Sequence, residues 1–505
     1  MKNILILVLS ALGAGCYAQP DTEVYLLDVD RLDGKIRLMN PRNISNNEGY
    51  DNQPSFYDDF TIVYSSTRNG QTDIAQYDLK TGKTSWLIDT TVGSEYSPSR
   101  IPNSNAISAI RLDTTGHQRL YRYAISEGKS EEILKDLKVG YHLWYSPDIL
   151  VTSVLVDNRM DLVISNLKDG TNYTTQKNVG RALHKIPNTE LVSYVSKEDK
   201  IWKLKSLHPI TGATETIMPL PERTNDICWL PDTTLLLPDG KTIHMVDPVK
   251  GASEVLYQFQ EKAVHRISRM AISPDGKHLA IVSETAPATV VQKQVESFNA
   301  EDLDAFAACY SEDVAVLNFP SDTLYTGNEN LWAGYKRYFE NNPKTTVEVV
   351  TRIEIGNIVI DEEIVSKSGR TSRQAAIYEV NNGKIASMNF VHENKPIENA
   401  SAIVDKQLEA YNARDIDAFL ATYSNDIKLF RYPNRLTDEG QEALRKGYED
   451  FFARTPDLNC EIKNRIQIGN KVIDEEYLTI KGTSYSAVAI YEIENGKISK
   501  VTFIQ

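Results

Sequence analysis

Cysteine is scarce in this chain: four in 505 residues. Three of them, Cys228, Cys309 and Cys460, lie far apart with no paired spacing. That excludes a disulfide framework and a zinc-type Cys/His cluster, and predicts buried free thiols. Positive charge is also short. Lysine and arginine total 55 against 69 acidic residues, a formal net charge of −14. Such a chain lacks the basic face that nucleic acid or an anionic bilayer requires, so no nucleic-acid partner is expected. Long apolar runs are missing too. Ile4 to Leu12 is too short to span a bilayer, and no later stretch reaches the length of a membrane helix. Neither a nucleophile elbow nor metal-ligand spacing occurs, so no metal and no cofactor is expected. What is present, 41% hydrophobic and 25% charged residues, is ordinary for folded protein. The length exceeds what one core organises, so about two to four domains are expected.

The chain opens "MKNILILVLSALGAGCYAQP". A basic Lys2, a short apolar run and then small residues read as an export signal over 1–18. Two endings compete. Cys16 after "GAG" is close to a lipobox, with Gly13 where a larger aliphatic residue belongs. "CYA" before Gln19 has small residues at both cleavage positions and favours soluble release. The expected location is periplasmic or secreted, with a lipid anchor on Cys16 as the alternative.

From 19 to 284 two hairpin elements alternate. One turns on a glycine, as in "YDLKTGKTS" and "VDPVKGASE", with Gly34, Gly82, Gly128, Gly170, Gly212 and Gly251 at the turns. The other turns on Pro-Asp or Pro-Asn, as in "WYSPDILVTSVL" and "AISPDGKHLAIV", with Tyr57-Asp58 standing in its first copy. Six copies of each, at a period near forty-odd residues, predict a six-bladed β-propeller. The first hairpin of the series lacks its partner, and so does the last. Residues around 23–38 are therefore expected to complete the blade begun by 265–283, which removes open sheet edges. "SPDGKHLAIVS" (273–283) and "YSSTRNGQTDIAQYDLKTG" (64–82) resemble TolB-type propellers, which implies a binding role, often toward protein partners in the cell envelope.

The remainder is one domain written twice. "IGNIVIDEE" at 355–363 returns as "IGNKVIDEE" at 468–476, and the flanking sequence aligns without a gap at the same offset of 113. In the second copy Ile403, Val404, Leu408 and Tyr411 recur at helical spacing. Asp415 is placed to cap a second helix carrying Ile416, Phe419, Leu420 and Tyr423. A strand "DIKLFRYP", a helix with Leu444, Tyr448, Phe451 and Phe452, and four alternating strands follow. Helices before a curved sheet predict a cone-shaped α+β domain, placed at 285–393 and at 400–505. "YNARDIDAFLATYSNDI", "RIQIGNKVIDEE" and "VAIYEIENGKI" resemble SnoaL-like domains of the nuclear transport factor 2-like superfamily, in a subgroup often labelled steroid isomerases. The fold class expected is thus multidomain: an all-β propeller plus two α+β cones.

The resemblance implies where ketosteroid-isomerase chemistry would sit, namely a helix Tyr, a base Asp and a neutral oxyanion Asp. Those positions hold Gln294 and Gln407, Phe319 and Tyr432, and Ala376 and Ala489. All three groups are absent from both copies. Counting outward from the Gly469-Asn470 turn puts Arg465 opposite Asp474, and likewise Arg352 opposite Asp361, a cross-strand charge pair. The alternative places Asp361, Glu363, Asp474 or Glu476 on the concave face, where a buried carboxylate with a raised pKa is a candidate base. Candidate ligand contacts are Gln294, Tyr310, Phe319, Tyr335, Arg352 and Tyr378 in the first copy. In the second they are Gln407, Tyr423, Tyr432, Tyr448, Phe452, Arg465 and Tyr491. The aromatics among them serve equally to fill the cone. The leading reading is an exported binding protein, with the propeller meeting a protein or glycan partner and the cones holding a small apolar ligand or packing together. The alternative is an isomerase, cyclase or hydratase using acid/base residues in a cone.

Overall fold

The computed structural model describes residues 21–504, apart from 48, 90, 126–128, 222–223, 261–263 and 394–398. The export signal, Cys16, the Ala18–Gln19 junction and the turn at Gly128 lie outside the described residues. The other five turn glycines, Gly34, Gly82, Gly170, Gly212 and Gly251, all adopt positive φ, as hairpin turns of this kind require. The first Pro-Asp-type turn falls two residues later than the sequence suggests. Asp58 ends the strand Asn52–Asp58, and its carboxylate accepts the amide of Phe60 at 2.9 Å.

Residues 22–285 form six four-stranded antiparallel sheets. Their central strands, such as Ile149–Val156 and His278–Thr285, are buried over five consecutive residues. Both faces of each such strand meet a neighbouring sheet, which is why these segments read as continuous apolar runs rather than as alternation. Every pair of successive sheets shares an apolar core. Val63 and Ile74 meet Ile107 and Tyr121 between the first two, and Leu204 meets Trp229 and Leu235 between the fourth and fifth. The sixth sheet joins the two ends of this region: Thr22–Leu32 pairs along its length with His278–Thr285. That sheet packs on the fifth through Leu27, Ile281 and Leu236, and on the first through Leu26, Val282 and Ile62. Tryptophans tie neighbouring sheets twice at the same spacing. The indole N–H of Trp144 donates to Ser108 Oγ, and that of Trp229 to Ser193 Oγ, each at 2.8 Å.

The strand ending at Thr285 runs into the helix Pro287–Asn299. Each repeated domain is a six-stranded sheet wrapped around three helices, and the two have the same strand order. Asp415 caps its helix as expected, accepting the Ala418 amide at 3.0 Å. Tyr423 does not belong to that helix. The helix stops at Leu420, and Tyr423 begins the strand Tyr423–Arg431 by pairing with Ile498. A short edge strand, Arg435–Glu439, also escaped the periodicity reading, because all five of its residues are exposed and it shows no alternation.

The outer faces of the two sheets pack on each other. Ile353, Ile360 and Ile377 from the first copy meet Ile466, Ile473 and Ile490 from the second in one buried cluster. Successive residues of a strand face opposite sides, so these isoleucines leave Val359, Ala376 and Tyr378 to face the first cone. Cys228, Cys309 and Cys460 are buried free thiols. No helix among the described residues is long and apolar enough to cross a membrane.

Candidate ligand-binding site

Each cone closes over a cavity, about 990 Å³ in the first copy and about 450 Å³ in the second. The strand "IVIDEEIVSK" (Ile358–Lys367) shows how the first is built. Alternation sends Val359, Asp361 and Glu363 toward the cone, and Ile360 and Glu362 to the other face. Asp361 is consumed within the ladder. It lies opposite Arg352, which grips it through two bonds of 2.7 Å. Arg352 also donates to Ala288 O and to Gln292 Oε1 at 3.2 Å, tying the sheet to the first helix. In the second copy Arg465 holds Asp474 at 2.6 and 2.7 Å. A bidentate guanidinium occupies both oxygens of each aspartate, so these pairs fix register and helix position. Neither aspartate borders a cavity.

Glu363 and Glu476 lie two residues further along and do border the cavities. Glu363 is 3% exposed and accepts Tyr378 Oη and Gln374 Nε2, both at 2.8 Å. Glu476 is 8% exposed and accepts Tyr491 Oη at 2.8 Å. Burial pushes both carboxyls up to about 7, against the pull of those donors. Beside Glu363, Gln294 is buried, and its Oε1 has no hydrogen-bond partner among the described residues. Tyr335, Tyr338, Phe298 and Met388 supply the apolar wall.

The other sequence candidates fall in three places. Gln407, Tyr423, Tyr448 and Tyr491 line the second cavity, and Gln294, Tyr335 and Tyr378 the first. Tyr310 and Phe452 are core. Tyr310 packs against Phe306 with tilted rings, and Phe452 packs on Tyr411 and Phe419. Phe319 and Tyr432 lie outside the cones, packed on the isoleucine cluster between the two sheets. Ala376 and Ala489 are fully buried opposite Asp361 and Asp474.

The copies have diverged inside. Leu408 and Leu478 stand where the first copy has Val295 and Val365, and the added bulk narrows the second cavity. Lys367 and Arg370 border the first cavity, whereas Ile480 and Thr483 occupy their positions in the second. Gln374, the second donor to Glu363, is replaced by Ala487. Sequence alignment of the copies shows these substitutions without showing which ones face a void.

Among known proteins, residues 291–388 and 404–501 each match the SnoaL-like domain model. No curated protein matches the chain. Among solved structures, a protein described as a TolB from Agrobacterium tumefaciens is similar at 13% identity and TM-score 0.41, over 52% of this chain and 98% of that one. A cystatin-fold protein from Novosphingobium aromaticivorans is similar at 29% identity and TM-score 0.21, over 22% of this chain and 100% of that one. A SnoaL-like protein of unknown function from Burkholderia thailandensis is similar at 19% identity and TM-score 0.20, over 22% and 98%. The chain therefore carries two SnoaL-like domains in tandem, at 291–388 and 404–501, behind a region of six four-stranded antiparallel sheets.

Proposed function

We propose that this is an exported binding protein. In this reading residues 19–284 are a closed six-bladed propeller that meets a protein or glycan partner, and the cones at 285–393 and 400–505 are its ligand-holding module. The first cone is the main site, for a small, mostly apolar molecule bearing one hydroxyl or amide donor. The observation that carries this is the first cavity itself. Its size is within the range of about 300–1,000 Å³ typical of small-molecule sites, with aromatic walls and a few convergent polar groups. The unpartnered Gln294 Oε1 offers an acceptor for the ligand's donor. Native mass spectrometry of protein recovered from the producing cell tests both halves of the reading. The expected spectrum has a mature chain beginning at Gln19 and a small-molecule adduct that leaves on collisional activation. An unprocessed chain, or one that takes up no adduct from mixtures of apolar hydroxylated compounds, would contradict it.

A second reading is favoured by Glu363. A carboxyl poised near neutrality at a cavity wall is suited to moving a proton, as an isomerase, cyclase or hydratase requires. Ketosteroid-type isomerisation is not expected, because Phe319 and Ala376 supply neither base nor oxyanion donor. Turnover of any cone ligand that is lost on Glu363→Gln, with ligand still bound, would place the enzyme reading first.

A further inference from the structure

The innermost strands of five of the six sheets break register. Shifts fall between Asn52 and Ser55, Tyr96 and Ser99, Val139 and Tyr141, Val179 and Leu183, and Ile267 and Arg269. A bulge re-aims a side chain out of the alternation of its strand. Gln53, Ser97, Tyr141, Arg181 and Arg269 from these strands, with Asp226 from the segment leading into Cys228–Trp229, line a single cavity of about 780 Å³. Gln53 and Ser97 take positive φ to do so.

The charges of this ring do not balance. Arg269 and Arg181 have side chains only 12% and 26% exposed, and they share one carboxylate, Asp226. Neither pair is tight. Arg269 Nη1 stands 3.7 Å from Asp226 Oδ2, and Arg181 Nε stands 3.9 Å from the same oxygen. Arg181 Nη2 donates to Ser268 O at 2.5 Å, and Arg269 Nη2 to Tyr141 Oη at 3.4 Å. Arg181 Nε is buried with no hydrogen-bond partner among the described residues. Two guanidiniums against one carboxylate leave uncompensated positive charge at the ring, and Lys185 lines the same cavity, inside a chain whose net charge is −14. Burying such a charge is costly unless an anion completes it. Salt-bridge chemistry within the fold would be served by a second acid, and the ring has none.

We propose that this axial ring is a binding site for a monocarboxylate, held by the planar donor faces of Arg181 and Arg269 with Tyr141 beside them. The site is independent of whatever the cones hold. The carboxylate belongs either to a small organic acid or to the free C-terminus of a peptide. Calorimetric titration of the full chain with acetate, with trialanine and with trialanine amide separates the two. Acetate matching trialanine points to a small acid, and trialanine alone points to a peptide end. Binding of the amide as tight as that of the acid, or binding of none of the three, overturns the proposal. Arg181→Gln is expected to weaken binding by about tenfold or more, the loss of one charge-assisted contact. Asp226→Asn supplies the test that a merely structural ring would fail. It removes the competing carboxylate, so affinity for the anion rises. An Asp226→Asn chain that folds and binds no tighter than the parent contradicts the assignment, whatever becomes of Arg181→Gln.

Discussion

Glu363 and Glu476 occupy equivalent positions, and burial raises both carboxyls to about 7. A carboxyl whose folded pKa exceeds its unfolded value of about 4.5 binds more protons in the folded state. Its contribution is full below pH 4.5 and is lost as pH rises through 7. Glu476→Gln is therefore expected to melt like the parent near pH 4.5 and at higher temperature near pH 8, the difference growing across that window by about 1.4 kcal/mol for each pKa unit of the shift. Thermal unfolding at a series of pH values checks this, and parallel curves would deny it. The arginine–aspartate pairs next to these glutamates were legible in the sequence because a two-residue turn fixes the count along both strands. The sequence offered a buried carboxylate on the concave face as an alternative but left open whether aspartate or glutamate supplies it, since the setting of the glutamates depends on Tyr378, Gln374 and Tyr491 arriving from the neighbouring strand.

Strand order across the sixth sheet is the point where chain ends become architecture. Thr22–Leu32 covers the edge of His278–Thr285 and carries Lys35–Asn43 outside it. Deleting residues 22–43 is expected to expose the apolar strand His278–Thr285 and to convert a stable chain into an aggregating one, read by light scattering and melting temperature. A monomeric chain of unchanged stability would contradict this. The unpartnered hairpin at each end of the series made this pairing readable in advance. The axial ring was not readable, because its six positions carry five residue types and only arginine recurs. The exposed edge strand Arg435–Glu439 was missed for the opposite reason, having no apolar face to alternate.

In the whole molecule the two cones are joined back to back through isoleucines that look like ordinary core in the sequence. The clue was present: Ile473 and Ile490 alternate with Val472, Ala489 and Tyr491, so both faces of those strands are apolar. Without knowing that a second sheet covers the outer face, such strands read as deep core of one domain. Ile473→Lys places an unpaired charge in this seam and is expected to cost several kcal/mol, with the cones becoming separately cleavable by protease. Equal protease resistance and melting temperature would mean that the seam does not hold the cones together.

The central claim is that the first cone holds an apolar ligand. Gly334 borders that cavity on a helix, and a Cβ built there meets nothing within 4 Å, so a larger side chain fits without displacing backbone. Gly447 is its counterpart in the smaller cavity. The direct test is fluorescence titration with the neutral apolar probe N-phenyl-1-naphthylamine on the parent chain, Gly334→Phe and Gly447→Phe, each of unchanged melting temperature. The account predicts a saturable signal that Gly334→Phe abolishes and Gly447→Phe largely keeps. A signal that survives Gly334→Phe undiminished would contradict it.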